Sequence, residues 1–349
     1  MNYDLLQKLM FLLPTETSHH LSLQSIALME QLNLSSLVAN DQVQDPVELM
    51  GIRFPNRVGL AAGLDKDAKC IEGMSALGFG FLEVGTVTPK PQAGNPKPRL
   101  FRLKSKNALI NRMGFNNEGV DAMIKRIRRS KFEGVLGINI GKNATTGIEN
   151  ALSDYEYCMR KVYKFASYIV VNISSPNTEG LRSLQHGDEL SKLLDGLKRE
   201  HASLVAKHQK YIPLLVKIAP DMDDEEVTAL TTKLVEFELD GIIVSNTTVS
   251  RGAVEGQTYA NEMGGLSGEP LKSQSDHVLS IVSSTLAASG NDKKMVVIGV
   301  GGIHSAQDAL NKIKLGADLV QIYTGFIYRG PDLIHQSASI IQASLPQAK

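Results

Sequence analysis

The chain has no tryptophan and only two cysteines, Cys70 and Cys158, among its 349 residues. Two isolated cysteines make neither a disulfide framework nor a paired-thiolate metal knuckle, so a reducing compartment is expected. Net charge is missing too, because 37 Lys and Arg balance 37 Asp and Glu. This argues against a general nucleic-acid binder, which needs a basic face, and against a polybasic membrane anchor. No apolar run approaches the roughly 18 residues of a spanning helix. The N-terminus carries only Lys8 beside Asp4, without a basic leader or a small-residue cleavage site, and secretion is not expected. Nor do the histidines show metal spacing. His19 and His20 are adjacent, and His186, His201 and His208 fall in loop or helix, so no metal is expected.

Core material is present in quantity. Hydrophobic residues make up 42% and charged residues 21%, which excludes disorder as the main state. The length suits either two average domains or one long barrel. Leu5, Leu6, Leu9, Met10, Leu12 and Leu13 crowd ahead of Pro14, and Leu21, Leu28, Met29 and Leu32 recur at near-helical spacing. The pattern predicts two short helices joined by a turn. They serve either as an end-cap on the main domain or as an apolar module that dips into a membrane surface. Lack of a basic polar face favours the end-cap.

From Asp45 onward the chain alternates. Val- and Ile-rich runs occur at Arg57–Ala62, Phe81–Val87, Val135–Gly141, Tyr168–Ser174, Ile212–Ala219, Gly241–Thr247, Met295–Gly301 and Leu319–Gly325. Segments such as Asp188–Lys207, Asp223–Glu236 and Ser305–Leu315 are long enough for crossover helices. Eight such units predict an α/β fold, a (β/α)8 TIM barrel whose strands are buried on both faces. A doubly wound sheet is the second choice. The expected division is a helical module over 1–45 and the barrel over 46–349, with Val47–Asn56 as a hairpin plugging the barrel bottom.

Barrel chemistry collects at the C-terminal strand ends. The first and second runs end in Ala62, Gly63, Lys66 and Thr86, the third in Asn139, and the fourth in Asn172, Ser175 and Asn177. The later runs end in Lys217, then Ser245, Asn246 and Thr247, then Gly301 and Gly302, then Tyr323, Thr324 and Gly325. The glycine turns of the last two runs, each leading to a helix, could hold a phosphate. Asn111, Asn139, Asn172, Asn177 and Asn246 crowd the mouth, and an Asn offers donor and acceptor together, which suits amide or imide edges. Any one of them alone would be a turn cap. Lys217 interrupts the run LLVKIAP, and a buried cation needs a negative partner. A reduced flavin would supply one, while a Schiff-base lysine is the competing idea.

AAGLDK (Ala61–Lys66), NRMGFNN (Asn111–Asn117), VNISSPNT (Val171–Thr178), SNTT (Ser245–Thr248), GVGGI (Gly299–Ile303) and QIYTGFIY (Gln321–Tyr328) together resemble the dihydroorotate dehydrogenases. The likeness runs in order over essentially the whole chain. The N-terminal extension, and a serine where other branches place a cysteine, resemble class 2, the membrane-associated, quinone-dependent branch. The resemblance implies a barrel with bound FMN that oxidises dihydroorotate to orotate in de novo pyrimidine (UMP) synthesis. It also implies electron transfer to a membrane quinone (ubiquinone or menaquinone) and a monomer held peripherally on the cytoplasmic face of the cell's inner membrane.

Carried over by motif, Ser175 would be the base that removes the C5 proton while hydride leaves C6 for the flavin. Lys66, Asn111, Arg112, Met113, Gly114, Phe115, Asn172, Asn177, Asn246 and Thr247 would hold the substrate. Ala62, Gly63, Lys66, Thr86, Asn139, Asn172, Lys217, Ser245, Gly268, Gly302, Tyr323 and Thr324 would hold FMN. Position 245 departs from the usual threonine but keeps the hydroxyl. His19, Arg102 and Tyr323 would meet the quinone head group. Ser175 is a poor base at its free pKa, so a water chain or Thr178 is expected to activate it. Pro176–Gln185 is either a lid that excludes water or a plain surface loop. The competing functions are a lysine-dependent aldolase or phosphosugar enzyme on the same barrel, and a non-catalytic membrane-surface module.

Overall fold

The computed structural model describes residues 3–32, 34, 41–290 and 295–345. The chain opens with helices α1 (Tyr3–Met10) and α2 (Thr15–Gln31), followed by an antiparallel hairpin of β1 (Val47–Leu49) and β2 (Ile52–Phe54). Barrel strands β3 (Val58–Leu60) and β4 (Phe81–Val87) come next. Two strands outside the barrel, β5 (Leu100–Leu103) and β6 (Ala108–Asn111), interrupt the series before β7 (Val135–Ile140), β8 (Tyr168–Asn172), β9 (Leu214–Ile218) and β10 (Gly241–Val244). A third outside strand, β11 (Gly265–Gly268), precedes β12 (Val296–Val300) and β13 (Leu319–Ile322). The eight barrel strands are parallel, and β13 pairs with β3 to close the ring. That pairing rules out the doubly wound sheet. Each barrel strand lies inside one of the eight runs predicted from sequence.

Burial explains the strand assignment. Every residue of the eight strands is buried, as expected for strands with helices outside and side chains inside. Crossover helices follow the predicted segments: Gly187–His208, Asp224–Glu236 and Ala306–Lys314. The last two begin with reciprocal capping boxes, Asp223 with Glu226 and Ser305 with Asp308, which satisfy donors that a helix start leaves orphaned.

The hairpin closes the N-terminal end. Phe54 is fully buried and meets Phe81 edge-on, with ring centroids 5.3 Å apart. Phe81 in turn faces Tyr168 at 6.4 Å. These rings join Leu215, Ile243, Ile298 and Leu319 in a cluster inside the barrel, with Val47, Leu49 and Ile52 packed beneath. Tyr168 finds room because its neighbour across the sheet is Gly137, where a Cβ would sit 2.1 Å from the ring.

The three outside strands were not anticipated. They form an antiparallel sheet in the order β11-β6-β5. LFRL and ALIN are joined by a tight connection in which Asn107 takes a left-handed φ of 46°, a conformation that Asn tolerates.

Several hydrogen bonds latch the extension to the rest of the chain. Tyr3 Oη donates to Ile327 O at 2.8 Å, and Gln7 Nε2 donates to Tyr328 O at 2.6 Å. Arg99 binds Glu16 through Nη2 at 2.8 Å and Nε at 3.2 Å. Gly73 N donates to Glu30 Oε2 at 2.9 Å. The boundary expected at residue 45 falls just past residues 35–40, which lie outside the described residues. Phe54→Ala should empty the barrel bottom and lower unfolding stability by about 3–5 kcal/mol, the usual cost of a buried Phe truncation. Urea titration measures it, and a loss below about 1 kcal/mol would mean that the hairpin does not seal the barrel.

Candidate active site

With the bottom filled, the hollow part of the barrel is its other end. A cavity of about 1010 Å³, counting the space at its open mouth, lies at the C-terminal strand ends. Nearly all the residues predicted from sequence line it: Ala62, Gly63, Lys66, Thr86, Asn111, Met113, Gly114, Phe115, Asn172, Ser175, Asn177, Lys217, Ser245, Asn246, Thr247, Gly268, Gly302, Tyr323 and Thr324. Two expected residues do not, Arg112 and Asn139. Arg112 follows the cavity-lining Asn111 at the end of β6. Its guanidinium donates to Glu262 at 2.5 Å and to Pro98 O at 2.8 Å, and it lies over the Phe101 ring. Asn139 is fully buried and acts from below the cavity wall.

That lower layer contains a residue the sequence reading missed. Glu83, in the apolar run FLEVGTV, is fully buried inside the barrel. Asn139 Nδ2 donates to Glu83 Oε1 at 2.8 Å, and Gln321 Nε2 and Tyr168 Oη donate to Oε2 at 2.6 and 3.2 Å. Above it, Thr86 Oγ1 donates to Asn139 Oδ1 at 2.6 Å and accepts from Asn172 Nδ2 at 2.9 Å. Ser174 Oγ donates to Asn172 Oδ1 at 3.0 Å and accepts from Asn246 Nδ2 at 2.9 Å. A continuous polar ladder therefore climbs from the barrel centre to the mouth. The sequence signal was available, a lone carboxylate inside a strand buried on both faces.

Glu83 also bears on Lys217. Burial pushes the Lys217 ammonium below its ordinary value, and the nearby Glu83 charge opposes that shift. Lys66 is pushed down to about 8 by burial, and its Nζ donates to Gly63 O at 2.8 Å. The turn that carries it is fixed by Asp65, whose carboxylate accepts from Lys69 N and Cys70 N.

Ser175 is buried at the cavity wall, and its Oγ accepts from Asn177 N at 3.2 Å. Among the described residues it makes no hydrogen bond to Thr178. The following loop is pinned in place. Arg182 donates to Ser174 O, Thr247 O and Asp221, and Gln185 Oε1 accepts from Ala219 N. Across the mouth, the turns after β12 and β13 pack together. Gly302 has φ +75°, and a Cβ on it would meet the Lys272 backbone at 2.3 Å; one on Gly325 would meet Ile303 O at 2.0 Å. Glycine at these positions lets the turn after β12 come close to the Lys272 helix start and to the chain after β13.

A second cavity, of about 1970 Å³ including its opening, lies between α1, α2 and the barrel. Its lining is mostly apolar, and the three residues assigned to a quinone head group, His19, Arg102 and Tyr323, all face it. Tyr323 lines both cavities, and burial pushes its phenol up to about 12. Burial pushes His19 down to about 3, with the Lys66 charge acting in the same direction, so its imidazole is neutral at ordinary pH. Arg102 stacks on the Phe11 ring at 4.0 Å, and its Nε is buried without a partner.

Fold and site together define a (β/α)8-barrel protein with a lysine- and asparagine-bearing cavity and a neighbouring, mostly apolar one that share Tyr323. The dihydroorotate dehydrogenase family model matches residues 46–345. A dihydroorotate dehydrogenase (quinone) from Pseudomonas fluorescens (strain SBW25) is 51% identical over 346 residues, covering 99% of this chain and all of that protein. One from Chromobacterium violaceum is 52% identical over 338 residues, covering 97% of each. A crystal structure of the Eimeria tenella enzyme with ferulenol superposes with a TM-score of 0.84 at 38% identity, covering 93% of this chain and 89% of that one. The chain belongs to the dihydroorotate dehydrogenase family. The aldolase and membrane-module alternatives fall away with that membership.

The Glu16–Arg99 latch carries a pH dependence. Burial alone raises the Glu16 carboxyl, but the Arg99 hydrogen bonds and charge, with Lys97, outweigh it and hold the group below its ordinary 4.5. The latch is therefore complete above pH 4.5 and weakens as pH falls through the lowered value. Limited proteolysis should find the extension protected at pH 6 and progressively cleaved as pH falls well below 4.5. Glu16→Gln should abolish that pH dependence; an unchanged profile would locate it elsewhere.

Proposed function

We propose that this chain oxidises dihydroorotate to orotate with FMN as its cofactor, and that the electrons leave through the second cavity to a membrane quinone. Family membership makes it a flavin-dependent oxidoreductase. The observation that carries the finer reading is a pair of cavities that share Tyr323, one bearing lysine, asparagine and serine side chains and one mostly apolar.

The residues present fit FMN. Gln321 lines the first cavity, and its buried Oε1 has no partner within the chain, which leaves an acceptor for a ligand N–H. Lys217 offers a buried cation, and the turns at Gly302 and Thr324 offer backbone N–H groups and a helix start for a phosphate. Ala62, Gly63, Thr86, Ser245 and Gly268 complete the proposed cofactor wall, with Asn139 holding Thr86 from behind. FMN supplies the two-electron acceptor for the hydride and can be reoxidised by a quinone.

Asn111, Asn172, Asn177 and Asn246 present donors and acceptors to the imide edges of the substrate, and Lys66 faces its carboxylate. Ser175 would take the C5 proton while passing its own hydroxyl proton on through a water chain, and the N–H of Asn177 would steady the negative charge its oxygen carries between the two transfers. Arg182 keeps the loop over the site closed, which excludes water from the reacting atoms. His19 and Arg102 would hold the quinone head group. Leu5, Leu9, Leu12, Leu28 and Leu32 are all more than half exposed, and among the described residues no helix is long and apolar enough to cross a membrane. This apolar face would rest on the cytoplasmic face of the inner membrane. Residues 1–45 would form the membrane and quinone module, residues 46–349 the catalytic barrel, and the protein would act as a monomer.

Purified protein should be yellow and should bleach when dihydroorotate is added without acceptor; a colourless protein would overturn the assignment. Ser175→Ala should slow flavin reduction by dihydroorotate roughly 100-fold or more, the usual worth of a positioned base. Near-normal reduction in stopped flow would reassign the base. Removing residues 1–45 should spare dye-coupled turnover and depress quinone turnover. Because Lys66 loses its charge above about 8, orotate affinity should fall as pH rises through that value. Spectral titration of Lys66→Met should show weak binding without that inflection.

A further inference from the structure

Glu83 is a buried ionisable group that the mechanism does not use. Glu83 lies beneath the cavity, touches no ligand-facing space, and gathers three donors on its two oxygens. That is the environment of a carboxylate, which can only accept.

The ladder above it contains members that can face either way. An Asn amide can flip, and a hydroxyl can donate to one neighbour or another. The upper end is fixed by the backbone, since Ser174 N donates to Asn172 Oδ1 at 3.1 Å and Thr247 N donates to Asn246 Oδ1 at 2.7 Å. These contacts orient Asn172 and Asn246 but leave Asn139 and the Thr86 hydroxyl hydrogen undecided. Only Glu83 decides them. A pure acceptor there forces Asn139 to present Nδ2 downward and Oδ1 upward. Thr86 must then donate to Asn139 and keep its lone pair for Asn172 Nδ2.

We propose that Glu83 is a positioning residue that sets the hydrogen-bond polarity of the cofactor wall, by committing Asn139 and Thr86 to one orientation. The consequence is directional. With the carboxylate in place, the Thr86 hydroxyl cannot donate into the cavity it lines, so the wall shows a bound ligand one pattern of donors and acceptors. A neutral amide at position 83 is satisfied by either orientation of Asn139. If Asn139 flips, Thr86 Oγ1 receives two donors and its own hydrogen turns elsewhere. Preorganisation of the wall is then lost without any change in shape.

The test rests on FMN as the cofactor and uses release of FMN from the purified holoprotein, followed by flavin fluorescence after dilution. Glu83→Gln should release FMN roughly tenfold faster or more, the worth of about one net hydrogen bond. Asn139→Asp should also accelerate release, because it sets two acceptors face to face. The double variant Glu83→Gln with Asn139→Asp moves the carboxylate one rung up and restores every donor–acceptor match, so its release should return to near the wild-type rate.

Acceleration in both singles with recovery in the double supports the inference. A Glu83→Gln protein that holds FMN like the wild type overturns it, as does a double variant no better than Glu83→Gln. A simple counter-charge for Lys217 predicts instead that Asn139→Asp alone leaves retention intact. If either single variant fails to fold, the double decides, because polarity alone requires it to fold and retain FMN. A wild-type protein without FMN would fail the cofactor assignment rather than this inference.

Discussion

The structure depends on one constraint, the closure of eight parallel strands into a ring through the pairing of β13 with β3. Closure gives every strand a partner on both sides and leaves no sheet edge to protect. It also creates an interior that must be filled or used. The N-terminal half is filled by Phe54, Phe81, Tyr168 and their aliphatic neighbours. The C-terminal half is left hollow, and the polar side chains collect there. Stability and chemistry are thus separated along the barrel axis.

Between the two halves lies a thin polar layer, where Glu83, Asn139, Tyr168, Gln321 and Lys217 share the barrel interior. Burying a carboxylate and an ammonium is costly unless each is compensated. Here three hydrogen bonds meet Glu83, and its charge offsets part of the desolvation of Lys217. The layer turns an apolar core into a platform with defined charge. The extension adds a second cavity. It is mostly apolar, lies between α1, α2 and the barrel, and shares Tyr323 with the first.

Much of this was legible in the chain. Strands such as VLGINI and YIVVN are continuously apolar because both of their faces are buried, and their C-terminal residues pointed to the mouth. Asn111, Asn172, Asn177 and Asn246 marked the cavity wall by their place at the strand ends and in the motifs. What escaped had a local disguise. LFRL and ALIN are short strands that alternate only weakly, so the outside sheet passed for loop. Arg112 sits inside a motif full of cavity residues, yet it turns outward to Glu262, because adjacent side chains on an extended segment point opposite ways. Glu83 was read as part of a strand.

By itself, the sequence determined the barrel, the helical extension, the motif set and the family, since these follow from periodicity and from residue types at strand ends. The tertiary structure decided which side chains meet. Glu83 lies beneath Asn139, Glu16 grips Arg99 from a distance of 83 positions, and Tyr323 stands between two cavities. Such contacts join residues far apart in the chain, so no local pattern encodes them. They exist only once closure has brought the strands into register.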